Sequence, residues 1–404
     1  MVSTELQPDK DIEWAIGVNS WSLKVCGIWR SENNSNWLNA FSNFLVPFYV
    51  LIIIIFGLFP QTFALFRVWG DLTLMVENLI TYLPFVVTLC KIVTMWYKKE
   101  VIITMMNFVR EDWRKLKSKK EREVMIKYAH ASRMITFGGY LVIVATVLVY
   151  HPPVIFGVVL RTLSNITDTG NRPLVLQTIY LFDVYKTPIY ELTVITQAMS
   201  CSLAGFCYTT VGALFGVIVL HVCSQLENLT FRLEEMLKND KEQMNFRKLF
   251  SLTVKEHQRL IRFVDMIENT FSIMLLMIVP AFTITFCVQG FQLINTLGDD
   301  VKRPMVQVVF CVVYMSFIAF VMFVYSSVGQ ALATQSEEIQ YAAYNCEWYN
   351  LRPKEAAQLI LILIRAQRPL QITAGKFVPL TMSTFATLLK TTAGYLSCLL
   401  AVHE

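Results

Sequence analysis

Seven apolar stretches, each long enough to cross a lipid bilayer, constrain this chain more than any other feature. They occupy residues 38–60, 72–96, 134–156, 188–223, 266–297, 305–331 and 377–402. A helix rises about 1.5 Å per residue, so about 20 residues cross a hydrocarbon core of roughly 30 Å, and inside that core only a helix or a closed barrel satisfies its own backbone. The first stretch is built around the unbroken run FYVLIIIIFGLF, the second is interrupted by Pro84, and the third ends at His151-Pro152-Pro153. The fourth is too long for one crossing and is expected to project beyond the bilayer on one side. The fold class expected is an all-α membrane protein, a bundle of seven transmembrane helices.

Of the 404 residues, 55% are hydrophobic and only 16% charged, more apolar than a soluble domain. The opening MVSTELQPDKDIEWAIG has no basic region followed by an apolar one, so the first span is expected to act as its own insertion signal. Residues 1–37 set Trp14, Trp21, Trp29 and Trp37 among charges, a pattern suited to a segment lying at the membrane surface. The nine cysteines sit mostly inside apolar runs without CxxC spacing, and are read as small hydrophobes. A net charge of +5 reflects where lysines sit on the membrane and does not point to nucleic acid.

The distribution of basic residues orients the bundle. The connection between spans two and three carries Lys98, Lys99 and a run of basic residues to Arg133, and that between spans four and five carries Arg232, Lys238, Lys241 and others to Arg262. The alternate connections are nearly free of them. By the positive-inside rule the basic connections are cytosolic, so the N-terminus is inside and the C-terminus outside, an inverted arrangement. The glycosylation sequon at Asn165 then lies outside the cell, and the one at Asn228 lies inside and should be silent.

The chain divides accordingly. Residues 1–37 form a cytosolic or interfacial segment, 38–222 hold spans one to four, and 223–265 form a solvated cytosolic helical region whose apolar residues recur at three and four. Residues 266–331 hold spans five and six. Residues 332–374 contain an aromatic cluster and a 14-residue amphipathic helix starting at Pro353, too short to span and expected to dock on the cytosolic side. Residues 375–404 hold the last span.

That last span is not uniformly oily. On a 3.6-residue wheel Ser383, Thr387, Lys390, Thr391, Gly394, Cys398 and Val402 share one face, with Lys376 and Thr384, while Phe385, Leu388, Leu389 and Leu396 lie elsewhere. A stripe of hydroxyls and a lysine cannot face lipid cheaply. Two readings are open: the stripe is the wall of a pore closed by its small and apolar end, or its hydroxyls bond back to their own helix and it packs on a neighbour.

Several function classes are disfavoured. A G-protein-coupled receptor would have the opposite orientation, an Asp/Glu-Arg-Tyr pattern in span three and Asn-Pro-x-x-Tyr in span seven; here only His403 and Glu404 are expected beyond the last helix. The five histidines form no HxxxH, HExxH or HH pair, and no GxSxG, GxGxxG or Walker pattern occurs, so neither enzyme chemistry, a metal site nor a cofactor is expected. No internal repeat suggests a transporter.

The stretches SEEIQYAAYNCEWYNL and LILIRAQRPLQITAGKFVPLTMSTFATLLKTTAGYLSCLL, with HVCSQLENL at 221–229, resemble the insect odorant receptor family. The likeness is carried by Trp348-Tyr349, Arg365, Gln367, Pro369, Ala374-Gly375, Phe385 and the Lys390-to-Tyr395 spacing. It implies an odorant-gated, non-selective cation channel subunit. That subunit works as a hetero-tetramer with a shared odorant co-receptor in the plasma membrane of olfactory neuron dendrites, without a G protein. Four final helices would line the pore, with Cys398 and Val402 at the gate and Ala401 where other members often carry a polar residue. The resemblance also implies a pocket for a small volatile hydrophobic ligand in the outer half of spans two, three, four and six. Depth in those spans nominates Asn78, Thr81, Tyr82, Val144, Val147, His151, Tyr190, Val194, Gln197, Ala198, Phe310 and Tyr314. A gustatory-type channel without the co-receptor, or a membrane scaffold without a pore, are the alternatives.

Overall fold

The computed structural model describes residues 8–29, 36–115, 117–155, 172–236, 246–298, 305–346 and 348–403. The Asn165 sequon lies outside them. Eleven α-helices and one two-stranded hairpin make up the described chain.

Helix α1 (Pro8–Val25) turns Ala15, Ile16 and Leu23 into the core and leaves Trp14 and Trp21 exposed. Helix α2 (Asn36–Ile52) passes through a π-helical stretch, Ile53–Leu58, into α3 (Phe59–Arg67). The widened turn lies just ahead of Pro60, which has no N–H to give the helical ladder. Gly57 in that turn lets span one approach span two: a Cβ there would sit 2.9 Å from the Phe85 ring. Helix α4 (Leu72–Tyr97) starts on Asp71, whose carboxylate accepts from the Leu74 amide at 3.1 Å.

The basic connection that follows is not a plain loop. It contains α5 (Lys99–Arg114), which buries Ile102, Met105, Met106 and Val109 along one face. A capping box then launches α6 (Lys119–Ile155): Ser118 Oγ accepts from the Glu121 amide, and Glu121 accepts from the Ser118 amide at 2.8 Å.

Helix α7 (Ile189–Glu235) is the centre of the bundle. It packs on α4, α6, α8 and α9, and Val217, Ile218, Val219, Leu220, Val222 and Cys223 are buried in near-unbroken succession, so neighbours surround it on every side. Its 47 residues exceed one bilayer crossing, as the sequence predicts. Asn228, of the second sequon, is buried in this helix. Helix α8 (Phe246–Gly298) and α9 (Met305–Asn345) are comparably long. The short α10 (Pro353–Ala366) docks on α9 through Leu359, Ile362 and Ala366, with the bounds expected from sequence.

At the end of the bundle that carries α5 and α10, one carboxylate ties three elements together. Asp112 of α5, 1% exposed, accepts from Arg259 of α8 at 2.7 Å, Lys115 at 2.8 Å and His221 of α7 at 3.1 Å. Burial alone would push its carboxyl up, but these partners outweigh burial and hold it well below the usual carboxylate range.

After α10 the chain makes a hairpin, β1 (Thr373–Ala374) antiparallel to β2 (Val378–Pro379). Gly375 and Lys376 at its tip have φ of 65° and 66°, the left-handed pair that a tight hairpin turn requires. The hairpin is clamped to α8: the Gly375 amide donates to Ser272 O at 3.0 Å and the Thr373 amide to Glu268 at 2.9 Å. It delivers the chain to α11 (Met382–His403), capped by Thr381, whose hydroxyl accepts from the Thr384 amide.

Six helices among the described residues are long and apolar enough to cross a membrane: Asn43–Arg67, Leu74–Tyr97, Lys119–Val149, Ile189–Glu235, Phe246–Ile294 and Val308–Asn345. The seventh expected span, α11, has 22 residues and stands apart from them, with Lys390 and a line of threonines. The chain is an all-α membrane protein.

Candidate ligand cavity and pore face

A cavity of about 200 Å³ lies inside the bundle, walled by α4, α6, α7, α8 and α9. Its lining is almost wholly apolar, with Phe85, Ile143, Phe282, Phe317 and Met322 supplying much of the wall. Four of its polar groups give their protons to backbone carbonyls. Thr88 donates to Pro84 O at 2.8 Å, Thr146 to Val142 O at 2.9 Å, Thr81 to Asn78 O at 3.2 Å, and the Tyr314 hydroxyl to Ile80 O at 3.1 Å. Such a cavity suits a small, largely hydrophobic molecule.

Of the residues nominated from depth, Thr81, Val147, His151, Phe310 and Tyr314 line the cavity. The others occupy different places. Asn78 and Gln197 are fully buried but stitch the segment between α6 and α7 onto the bundle. Asn78 Nδ2 donates to Gln61 O and to Gln177 O at 3.3 Å; Gln197 accepts from the Leu176 amide at 3.2 Å and donates to Thr178 and Tyr180 at 2.9 Å. Tyr190 helps in the same way, donating to Pro173 O at 2.8 Å. These bonds hold Leu174, Val175 and Leu176 buried, and Leu176 closes one side of the cavity. Tyr82 bonds Thr62 of α3, Val194 and Ala198 pack in the core, and Val144 is exposed on the outer surface of α6.

Helix α8 had no place in the nominated set, yet Ile278, Ala281, Phe282 and Thr285 form one wall. Their 3–4–7 spacing is a helix face, but in a span apolar all round that spacing does not say which face looks inward. A further missed feature had a clear signal, a lysine deep in span two. Lys91 is fully buried one turn along α4 from Thr88, with its Nζ 3.0 Å from the centre of the Tyr208 ring, 3.3 Å from Tyr325 Oη and 3.5 Å from Tyr208 O. Tyr208 lines the cavity. Tyr325 reaches this point because Gly212 has no side chain: a Cβ there would lie 3.1 Å from Tyr325 Oη.

The last helix presents two unlike faces. Phe385, Leu388, Leu389, Thr392 and Leu396 pack on α8 and α9: a Cβ on Gly290 would meet Leu396 at 2.9 Å, and the Phe323 and Phe385 rings cross edge to face at 6.0 Å. Ser383, Thr387, Lys390, Thr391, Gly394, Cys398 and Ala401 are exposed on the opposite side. The Val402 side chain lies outside the described residues. Thr387 and Thr391 bond back to Ser383 O and Thr387 O, both at 2.9 Å, but the stripe they belong to is exposed among the described residues. Among the described residues no group of three or more His, Cys, Asp or Glu could hold a metal ion.

Comparison with known proteins agrees with this architecture. The family model described as 7tm Odorant receptor matches residues 71–393. The chain is 23% identical to odorant receptor 13a of Drosophila melanogaster over 94% of each chain, and 23% identical to odorant receptor 10a of the same species over 97% of each. In three dimensions it resembles the insect olfactory receptor OR5 of Machilis hrabei, solved alone and in complex with eugenol, with a TM-score of 0.83 in both cases. For the eugenol complex the identity is 17%, over 98% of each chain.

Proposed function

This chain belongs to the insect odorant receptor family, and on that premise we propose that it is the odorant-tuned subunit of a ligand-gated, non-selective cation channel, completed by a shared co-receptor in a hetero-tetramer. Family membership makes it a receptor rather than an enzyme, with small volatile molecules as its ligand class. The observation that carries the channel reading is the polar face of α11, exposed among the described residues while the opposite face is packed. A membrane helix with exposed Lys390 and Thr391 needs water or another subunit on that side, and a central pore supplies both.

In this reading an odorant occupies the cavity and favours the open arrangement by binding it more tightly than the closed one. The route to the pore is short, because α8 and α9 both wall the cavity and carry α11. Residues 1–37, 223–265 and 332–374 lie in the cytosol, the last two holding subunits together, and 38–222 with 266–331 form the ligand-bearing bundle. The N-terminus is inside and the C-terminus outside. Cys398 and Val402 form the apolar gate, with Ala401 beside them, and opening turns that constriction aside so that the hydroxyl face wets the path. The channel works in the dendritic membrane of olfactory neurons and uses no G protein.

Whole-cell recording tests this, with the chain expressed alone and with an odorant co-receptor, a panel of volatiles applied outside and a G-protein inhibitor in the pipette. Odorant-evoked inward cation current that needs the co-receptor and survives the inhibitor is expected. Current from the chain alone would remove the co-receptor from the scheme. Abolition by the inhibitor would overturn the channel reading.

A further inference from the structure

The polar groups that line the cavity are not alike. Thr88 and Thr146 each donate to the carbonyl four residues back, at 2.8 and 2.9 Å, while Thr81 donates to Asn78 O at 3.2 Å and Tyr314 to Ile80 O at 3.1 Å. His151 holds Nδ1 2.9 Å from Val147 O, so that nitrogen carries the proton and Nε2 of the neutral ring has none. None of these five has a proton left to give. Thr285 of α8 differs: it is 4% exposed and lines the cavity, and among the described residues its hydroxyl has no hydrogen-bond partner. Other threonines of the same helix bond back, Thr270 to Met266 O at 2.7 Å and Thr283 to Val279 O at 3.1 Å. The equivalent bond from Thr285, to Ala281 O, is not made.

A hydroxyl shut away from bulk water without a partner carries a cost, and an occupant that supplies the missing hydrogen bond removes it. A hydrocarbon occupant leaves that cost in place. The rest of the wall sets the charge: it contains no Asp, Glu, Lys or Arg, so an ionic ligand would give up its hydration with no counter-charge in return. Tyr208 is the other lining hydroxyl without a partner among the described residues. It is only partly buried and also borders a separate crevice of about 50 Å³ between α6, α7 and α9, so its accessible surface is not the cavity's alone.

We infer that Thr285 is a specificity-determining residue whose hydroxyl donates to an oxygen of the odorant, so that the cavity selects small neutral molecules bearing a carbonyl, ester or ether oxygen over hydrocarbons of the same shape. This rests on the reading of the cavity as the odorant site. It goes beyond that reading by naming the chemical class admitted and the group that recognises it. A hydrogen bond between neutral partners contributes about three- to tenfold in affinity.

The test is a thermal-stability titration of the full chain in lipid nanodiscs with two probes of one shape: 2-hexanone, and 2-methyl-1-hexene, in which C=CH2 replaces C=O. Each probe is compared between proteins, so its own hydration and its partition into lipid cancel. In Thr285→Val, which keeps the shape of the side chain and removes the hydroxyl, 2-hexanone is expected to need about three- to tenfold more for the same stabilisation, with 2-methyl-1-hexene unchanged. Thr285→Ser, which keeps the hydroxyl, is expected to retain the response to 2-hexanone, and Tyr208→Phe to leave both probes as in the wild type. Thr285→Ala provides a second variant without the hydroxyl should Thr285→Val not fold. Equal weakening of both probes in Thr285→Val, weakening of neither, or selective weakening of 2-hexanone in Tyr208→Phe instead would overturn the role of Thr285 while leaving the cavity as a ligand site. No stabilisation of the wild type by either probe would overturn the ligand-site reading and this inference with it.

Discussion

Asp112 shows how much one side chain can hold when three elements converge on it. Its partners come from α5, α7 and α8, and its carboxylate is almost inaccessible to water. Removing one member of a buried charged cluster leaves the others desolvated and uncompensated, which costs about 3–5 kcal/mol. Asp112→Asn is therefore expected to lower the melting temperature of the detergent-solubilised chain strongly. The pH dependence has a definite sign: the folded carboxyl is held below its unfolded value, so its contribution is present above the ordinary carboxylate range and is lost as pH falls through and below it. The wild-type advantage over Asp112→Asn should be constant from about pH 7 to 5 and shrink below about pH 4. Gln197 is the comparable residue at the other end of the bundle. Gln197→Leu would leave the Leu176 amide buried without its acceptor, at a cost of about 1–3 kcal/mol, and hydrogen exchange across residues 174–179 should quicken.

At the scale of an element, α11 makes the sharpest demand on its surroundings. Cysteines placed at Thr387 and Thr391 should react with a water-soluble thiol reagent during odorant stimulation, while cysteines at Leu388 and Thr392, on the face packed against α8 and α9, should stay protected. Equal labelling of all four positions would mean that the bare face is not a water path. The hairpin that launches this helix depends on close approach to α9. A Cβ on Gly329 would lie 2.8 Å from Leu380 Cβ and closer still to the Leu380 carbonyl, and backbone has no rotamer by which to yield. Gly329→Ala is thus expected to reduce folded protein at the cell surface and to lower odorant-evoked current in proportion, as read by surface biotinylation beside recording.

For the molecule as a whole, the organising fact is a central helix, α7, buried on all sides over residues 213–226, with a cavity beside it and the last helix packed on α8 and α9. The same two helices therefore wall the cavity and carry α11, and the proposed gating would run through them. The orientation proposed from basic residues makes a prediction at this scale. An epitope at the N-terminus should be reachable by antibody only after permeabilisation, and one at the C-terminus without it. The reverse pattern would turn the bundle over and move the cavity to the cytosolic half.

Much of this was legible in the sequence because membrane helices announce themselves by length and polarity alone. Six of the seven apolar runs, the over-long fourth span, the amphipathic helix from Pro353 and the polar stripe of α11 are all properties of consecutive residues, and each recurs in the structure. What could not be read was facing. In spans apolar all round, periodicity does not distinguish an inward face from a lipid-facing one, so Val144 was nominated though it points outward, and Phe282 was passed over though it walls the cavity. Asn78 and Gln197 lie at the expected depth, but their amides serve backbone groups of the 172–188 segment, a partnership set by long-range packing. Lys91 was visible as a charge inside a span. Only the tertiary structure set it against the ring of Tyr208, a cavity-lining residue, and against Tyr325, which reaches it because Gly212 lets α9 come close to α7.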